Sequence, residues 1–389
     1  LSTPLTRLAM DERPKIAVSR KVGGWGDQIC ALVALRAAVE KYGADYDVIS
    51  GVGSPFFSFI APSAIAEGAK DCISPSYERW DQAFTPDKYA YWFDLDGPEM
   101  RHAVSRDWDI TESRIETWCR AVDYMPSDTT PHIVVPKDSM RVAASNLEAS
   151  GLQPNSYIVF QWRSRVGFKD MPQRAEVVAD LISRGHRVFI IDGSGDDIDS
   201  EMQRYGDLKY WSAYAIEFQL IAAYCKMASL VIAPDSALMH LAGGVGTPCV
   251  AIWGSTNADI TMKHYPLSTY IWGRDVSGKP CEGSFPCWGR DERYFWCKSR
   301  IVGKLHQVPW CIEQIPVAKI VDLAEQHLER HKAYNIKRAN SLDYAGSGTW
   351  SLAPDGLATD LLQEESMRMP FKRSIRTSSG IVRSRGIRT

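Results

Sequence analysis

The sequence contains no run of about eighteen apolar residues, so nothing in it is expected to span a bilayer as a helix. Net charge is nearly absent: 45 Lys and Arg stand against 47 Asp and Glu, leaving −2. No global basic field marks a nucleic-acid or anionic-membrane protein. Cysteine is sparse and odd in number, nine in 389 residues, which argues against a complete disulfide framework. The opening residues, LSTPLTRLAMDERPK, lack the apolar core of a secretory signal, and a soluble, cytoplasmic chain is the expectation. No internal repeat of fixed period occurs. What is present is ordinary: 45% hydrophobic and 24% charged residues, a globular balance at a length that suggests two domains.

Local patterns give the organisation. Lys15 to Ser19 reads as a strand, followed by a Gly-rich turn and a helix from about Gln28 to Tyr42, with Ile29, Leu32, Val33, Leu35 and Val39 at helical spacing. Gly43 stops it, and Asp47 to Ser50 reads as the next strand. Between about Pro55 and Pro131 the pattern is irregular and aromatic, and helices and loops are expected there. His132 to Val135 closes the first half, residues 137 to 150 read as a helix, and Gly151 to Ser156 as a linker.

The second half alternates strands (Tyr157–Gln161, Arg187–Ile191, Leu230–Ala233, Pro248–Trp253) with helices (Arg174–Arg184, Ile216–Met227, Asp235 to about Ala242). Continuous apolar strands between helices imply a buried parallel sheet. The fold class is therefore α/β, with two Rossmann-like doubly wound domains, 1–150 and 151–333. Their cleft lies at the carboxyl ends of the strands. A Cys-containing insert spans 281–311, Pro316 to Arg330 is a last amphipathic helix, and 334–389 reads as an extended tail. From Arg368 that tail holds seven basic residues and no acid.

Three motifs carry chemistry. Gly23-Gly24-Trp25-Gly26-Asp27 sits between strand and helix. It is not the G-x-G-x-x-G of dinucleotide sites. It offers a carboxylate, Asp27, which either caps its own helix or points into the cleft. Pro234-Asp235-Ser236 opens a helix whose free N–H groups can hold phosphate or sugar oxygens. His240 follows within it, either a hydrogen-bonded core histidine or a site residue. Arg163, Arg165 and Lys169 lie just past a strand's carboxyl end, where a diphosphate leaving group needs cations; the alternative is an exposed basic loop.

Taken together these stretches resemble glycosyltransferase family 9, the bacterial lipopolysaccharide heptosyltransferases of GT-B fold. The match runs over about residues 15 to 330. Its most specific part holds Asp235, Ser236, His240, Ala242, Gly246, Pro248, Gly254 and Thr256 in the family's places, with departures at Ala237 (usually Gly) and Ser255 (usually Pro).

The resemblance implies a metal-independent, inverting transfer of a sugar, heptose by analogy, from a nucleotide-diphosphate donor to a hydroxyl acceptor. Asp27 would be the general base. Lys169, with Arg163 or Arg165, would hold the diphosphate. Asp235, Ser236, His240 and Thr256 would line the donor site, and the region of Ile216 would seat the nucleobase. No cofactor is implied for catalysis.

Four cysteines, Cys281, Cys287, Cys297 and Cys311, follow the spacing C-x5-C-x9-C-x13-C. This differs from the close pairs of zinc fingers. The autotransporter heptosyltransferases are similar in placing a four-Cys iron site in this region. A structural iron or zinc site, packed free thiols and disulfides all stay open. Cys30, Cys72, Cys119, Cys225 and Cys249 are expected as core thiols.

Rival readings keep the fold. The acceptor could be a glycan, a protein serine or a modified base in DNA, or the chain could be a nucleotide-sugar epimerase or a non-catalytic sugar-nucleotide module. The basic tail could touch an anionic acceptor, nucleic acid or, peripherally, a membrane.

Overall fold

The computed structural model of the protein describes residues 15–20, 24–42, 45–50, 63, 69–73, 91–96, 111–164, 169–192, 198–214, 216–254, 256–276, 310–341, 375–377 and 380–382. The chain begins with strand β1 (Lys15–Arg20), helix α1 (Trp25–Tyr42) and strand β2 (Asp45–Ser50), the strand–turn–helix–strand unit expected. Two further strands follow, β3 (Ala69–Ile73) and β4 (Tyr91–Asp94), where only helices and loops were expected. The sheet order is β3-β2-β1-β4, with all three pairings parallel.

Helix α1 is buried along its whole middle, from Gln28 to Ala38. Apolar residues and alanines surround it on every face, as befits a helix enclosed on all sides. It packs against β1, against α2 (Arg114–Ala121) and against a helix of the second half.

The second sheet starts after helix α3 (Lys137–Ala149). Its described elements are β5 (Ile158–Gln161), helix α4 (Arg174–Ser183), β6 (Val188–Asp192), β7 (Trp211–Tyr214), helix α5 (Phe218–Met227), β8 (Leu230–Pro234), helix α6 (Ala237–Gly244), β9 (Cys249–Trp253) and β10 (Ser268–Trp272). The order β10-β9-β8-β5-β6-β7 reverses direction between β5 and β8, and every pairing among these strands is parallel. In such a sheet the crevice at the carboxyl ends of the two strands flanking the reversal is the natural ligand site.

Strands β6, β8 and β9 are buried end to end, which is why their unbroken apolar runs were readable. No helix among the described residues is long and apolar enough to cross a membrane.

Three further features add to the sequence reading. Helix α3, placed at the end of the first unit, packs on α5, with Asn146 donating to the Tyr224 hydroxyl at 2.9 Å. His132–Val135 is irregular; the Ile133 N–H donates to Gly244 O at the end of α6. The chain after helix α7 (Val317–Arg330) is not wholly extended: α8 spans Lys332–Ser341. Arg338 explains this helix. Its guanidinium donates to the carbonyls of Lys226 and Ala228 at the end of α5 and to the Thr247 hydroxyl, so it satisfies acceptors that the helix end leaves open. Farther on, β11 (Ile375–Thr377) and β12 (Gly380–Val382) pair antiparallel, and β11 adds to the β7 edge.

Candidate active site

Asp27 is the third residue of α1. Its Oδ2 accepts the Gly24 N–H at 2.6 Å, so it satisfies one of the donors at its own helix start, as a carboxylate at this position does in a capping box. Its Oδ1 faces Arg114 Nη1 at 2.6 Å, and the Asp27 side chain is only 14% exposed. The helix-capping role of Asp27 is thus present, exercised from the third helical position rather than the N-cap. It steadies the turn, and it lies with a cationic partner at the carboxyl end of β1.

Arg114 was not singled out from the sequence. It is the first residue of α2, whose N-cap is Ser113: the Ser113 hydroxyl accepts the Glu116 N–H and Glu116 accepts the Ser113 N–H. The S-x-x-E spacing of this capping box is a readable signal that would have located the helix start.

Across from Asp27 lies the start of α6. An added Cβ on Gly26 would sit 2.8 Å from His240 Cδ2 and 3.5 Å from the Ala237 Cα. Only a glycine lets the two helix starts approach so closely. Ser236 caps α6 through the Leu238 N–H at 3.3 Å and donates to Gln161 Oε1 at 2.5 Å. That bond bridges the ends of β5 and β8, the reversal point of the sheet.

Asp235 is buried beside it. Lys169 Nζ donates to its Oδ2 at 2.8 Å and the Thr256 hydroxyl to the same oxygen at 2.5 Å. Burial would push this carboxyl up, but the Lys169 ammonium and the two hydrogen bonds hold it below the usual carboxylate range.

His240 is buried, and its Nδ1 meets the Tyr265 hydroxyl at 2.6 Å and the Cys30 thiol at 3.5 Å. Burial pushes its imidazole down to about 4, against the pull of Asp235 and Asp27. It is neutral at pH 7 and reads as a hydrogen-bonded histidine at the seam between the sheets, its ring against the Asp27 turn.

Arg163 forms two bonds to Asp192, with Nη2–Oδ2 at 2.8 Å. Asp170 sits behind Lys169 and accepts the Ser164 N–H at 2.5 Å. Burial lifts its carboxyl to about 6 despite that bond and the nearby Arg174 and Arg163. Ile216 is half-buried against the core just before α5, close in sequence to Phe218, whose ring meets Trp25 of α1 edge-on at 3.8 Å.

Lys169, Asp235, Ser236, His240 and Thr256 are therefore gathered at the carboxyl ends of β5, β8 and β9, with Asp27 facing them from α1. Arg163 is gathered there too but committed to Asp192. Arg165 lies outside the described residues, as do Cys281, Cys287 and Cys297.

Of the four clustered cysteines Cys311 alone is described. It is buried, its sulfur 3.7 Å from where a Cβ on Gly254 would be. Among the described residues no group of three or more His, Cys, Asp or Glu is arranged to hold a metal. Cys30, Cys119, Cys225 and Cys249 are buried thiols outside any disulfide. Burial raises the thiol of Cys119 to about 12 and those of Cys225 and Cys249 higher still.

Residues 78–284 match the family profile "Glycosyltransferase family 9 (heptosyltransferase)". No curated protein matches the chain. Among solved structures, a glycosyl transferase family 9 protein from Veillonella parvula is similar at a TM-score of 0.59 and 14% identity. That match covers 82% of this chain and 98% of that one. The E. coli ADP-heptose lps heptosyltransferase II is similar at a TM-score of 0.56 and 15% identity, with 82% and 99% covered. The iron-containing dodecameric glycosyltransferase TibC from enterotoxigenic E. coli has a TM-score of 0.52 at 14% identity, with 84% and 78% covered. At these identities the likeness establishes the α/β fold that the chain shares with GT-B glycosyltransferases.

Proposed function

The chain belongs to glycosyltransferase family 9, the heptosyltransferase family, and from that premise we propose that it transfers a sugar from a nucleotide-diphosphate donor to a hydroxyl acceptor with inversion, Asp27 acting as base. The observation that carries this reading is the pairing of two half-sites across one seam. On one side Lys169, Asp235 and Thr256 form a charged shelf at the sheet reversal. On the other, Asp27 faces it from the start of α1, with Gly26 against His240.

The chemistry assigns the parts. A nucleoside diphosphate leaves with growing negative charge, and Lys169 together with the positive dipole end at the start of α6 supplies the compensating charge. Asp235 orients sugar hydroxyls while sharing Lys169. An acceptor hydroxyl attacks the anomeric carbon from the face opposite the departing diphosphate. Asp27 Oδ takes its proton, which requires an approach to about 3 Å. Arg114 holds that carboxylate in one orientation, Nη1 to Oδ1 at 2.6 Å.

Solved relatives include a heptosyltransferase named for ADP-heptose, so ADP-heptose is the first donor to test. The nucleobase is assigned to the region of Ile216. The proposed transfer is metal-independent, with Asp27 supplying the base and Lys169 the counter-charge.

The donor shelf is tested by titrating ADP into the protein and into a Lys169→Ala variant whose folding is checked by thermal melting. Loss of one charge-assisted contact weakens binding by roughly 10- to 100-fold. Equal affinity in the two proteins, or no binding of any nucleoside diphosphate by the parent, contradicts the assignment.

A further inference from the structure

Two residues from the other half of the molecule, Lys263 and His264, grip the capping box that starts the helix carrying Arg114. Ser113, the N-cap of α2, lies 2.7 Å from His264 Nε2, and both residues are buried. His264 Nδ1 in turn meets the Thr129 hydroxyl at 2.8 Å. Lys263 Nζ donates to Glu116 Oε1 at 2.6 Å, gripping the other partner of the same capping box.

The network is saturated when the Ser113 hydroxyl accepts the Glu116 N–H and donates to a neutral imidazole, whose Nδ1–H then faces Thr129. Burial keeps that imidazole neutral, pushed down to about 4. The start of α2 is thus fixed by His264 and Lys263, and its first residue delivers the guanidinium to Asp27.

The same stretch of chain that grips α2 also touches the donor half of the site. Thr256 binds Asp235, and two residues past Lys263 the Tyr265 hydroxyl binds His240. Between them a short helix, Ala258–Met262, is capped by Asn257 through the Asp259 N–H at 3.0 Å. One segment, 256–265, therefore contacts the donor carboxylate, the seam histidine and the support of Arg114.

We propose that His264 is a positioning residue for Asp27: it acts through Ser113 and Arg114 and ties the orientation of the acceptor base to the donor shelf. This rests on the reading of Asp27 as the base. His264 touches no reacting atom. Its effect is to fix where the guanidinium, and so the carboxylate, points.

The test uses the full chain with His264→Asn and His264→Gln, alone and combined with Asp27→Asn. Glutamine places its terminal group near the position of Nε2 and can keep the Ser113 contact, whereas asparagine reaches only as far as Nδ1. His264→Asn is expected to lower kcat by roughly 10- to 100-fold, as misplacement of a reacting group does, with the donor KM changed less than about 2-fold. His264→Gln is expected to recover most of that loss.

In the Asp27→Asn background His264→Asn is expected to have no further effect, because the group it positions is already disabled. A loss of residual turnover there, a shift in donor KM as large as that in kcat, or equal defects in the Asn and Gln variants would overturn the proposal and leave His264 as a packing residue. If Asp27→Asn alone leaves turnover intact, the base assignment itself fails, an outcome distinct from any of these.

Discussion

Replacing Asp27 by asparagine lowers kcat by about 10²- to 10⁴-fold, the range expected for loss of a positioned general base, while the affinity for donor stays within about 2-fold of the parent. The amide keeps the size of the carboxylate, and its oxygen can still accept from Gly24, which now donates to Oδ2 at 2.6 Å. It cannot take a proton from an attacking hydroxyl. Donor affinity is spared because Lys169, Asp235 and Thr256, the groups assigned to the diphosphate and sugar, make none of their observed bonds to Asp27. The measurement is steady-state turnover beside donor titration on both proteins. A kcat within about threefold of the parent removes Asp27 from the chemistry.

Gly26→Ala is expected to be nearly as damaging, by packing alone. At an exposed helix position the change would gain about 1 kcal/mol of helix propensity. Here the new methyl lands 2.8 Å from His240 Cδ2, inside any real carbon contact. The ring cannot easily swing aside, since Nδ1 is held by Tyr265 at 2.6 Å within a buried cluster that includes Cys30. The start of α1 must shift instead. Overpacking of this kind costs about 1–3 kcal/mol, so the net change is destabilising. Displacing Asp27 by a fraction of an ångström to an ångström lowers turnover by up to about 100-fold. Thermal melting and turnover read both effects. In a His240→Ala background, where the opposing ring is gone, the alanine at 26 is expected to be neutral or slightly stabilising. If it remains equally destabilising there, the clash is not its cause.

How much of this was legible beforehand depends on how local each signal is. Strands β6, β8 and β9 are buried end to end, so apart from Asp192 at the end of β6, which is paired with Arg163, their residues are apolar, and the run is visible without any partner. Strands β7 (WSAY) and β10 (STYIW) mix hydroxyls with aromatics. Strand β3 (AKDCI) carries two charges. Their strand character comes from pairing with neighbours, which a local pattern does not contain.

The cluster proposed to bind the donor was readable as a group because Asp235, Ser236, His240 and Thr256 lie within one continuous stretch, and Lys169 just past a strand end. Arg114, His264 and Tyr265 were not, since each acts through a partner distant in sequence: Asp27, Ser113 and His240 respectively. The interpretation of Arg163 also needed the fold. A cation past a strand end reads as a phosphate ligand until its two bonds to Asp192 are seen.

The most direct test of the whole account is a mass-spectrometric assay of donor consumption. The protein is incubated with ADP-heptose and a panel of other nucleotide sugars, with and without hydroxyl acceptors, and the nucleotide and sugar products are identified. The account predicts that one donor is converted to nucleoside diphosphate, that a hydroxyl acceptor accelerates the conversion and gains the sugar, and that the new glycosidic bond has the opposite anomeric configuration to the donor. Conversion of a nucleotide sugar to its epimer without transfer, retention of configuration in the product, or a failure to bind and consume any nucleotide sugar would contradict it.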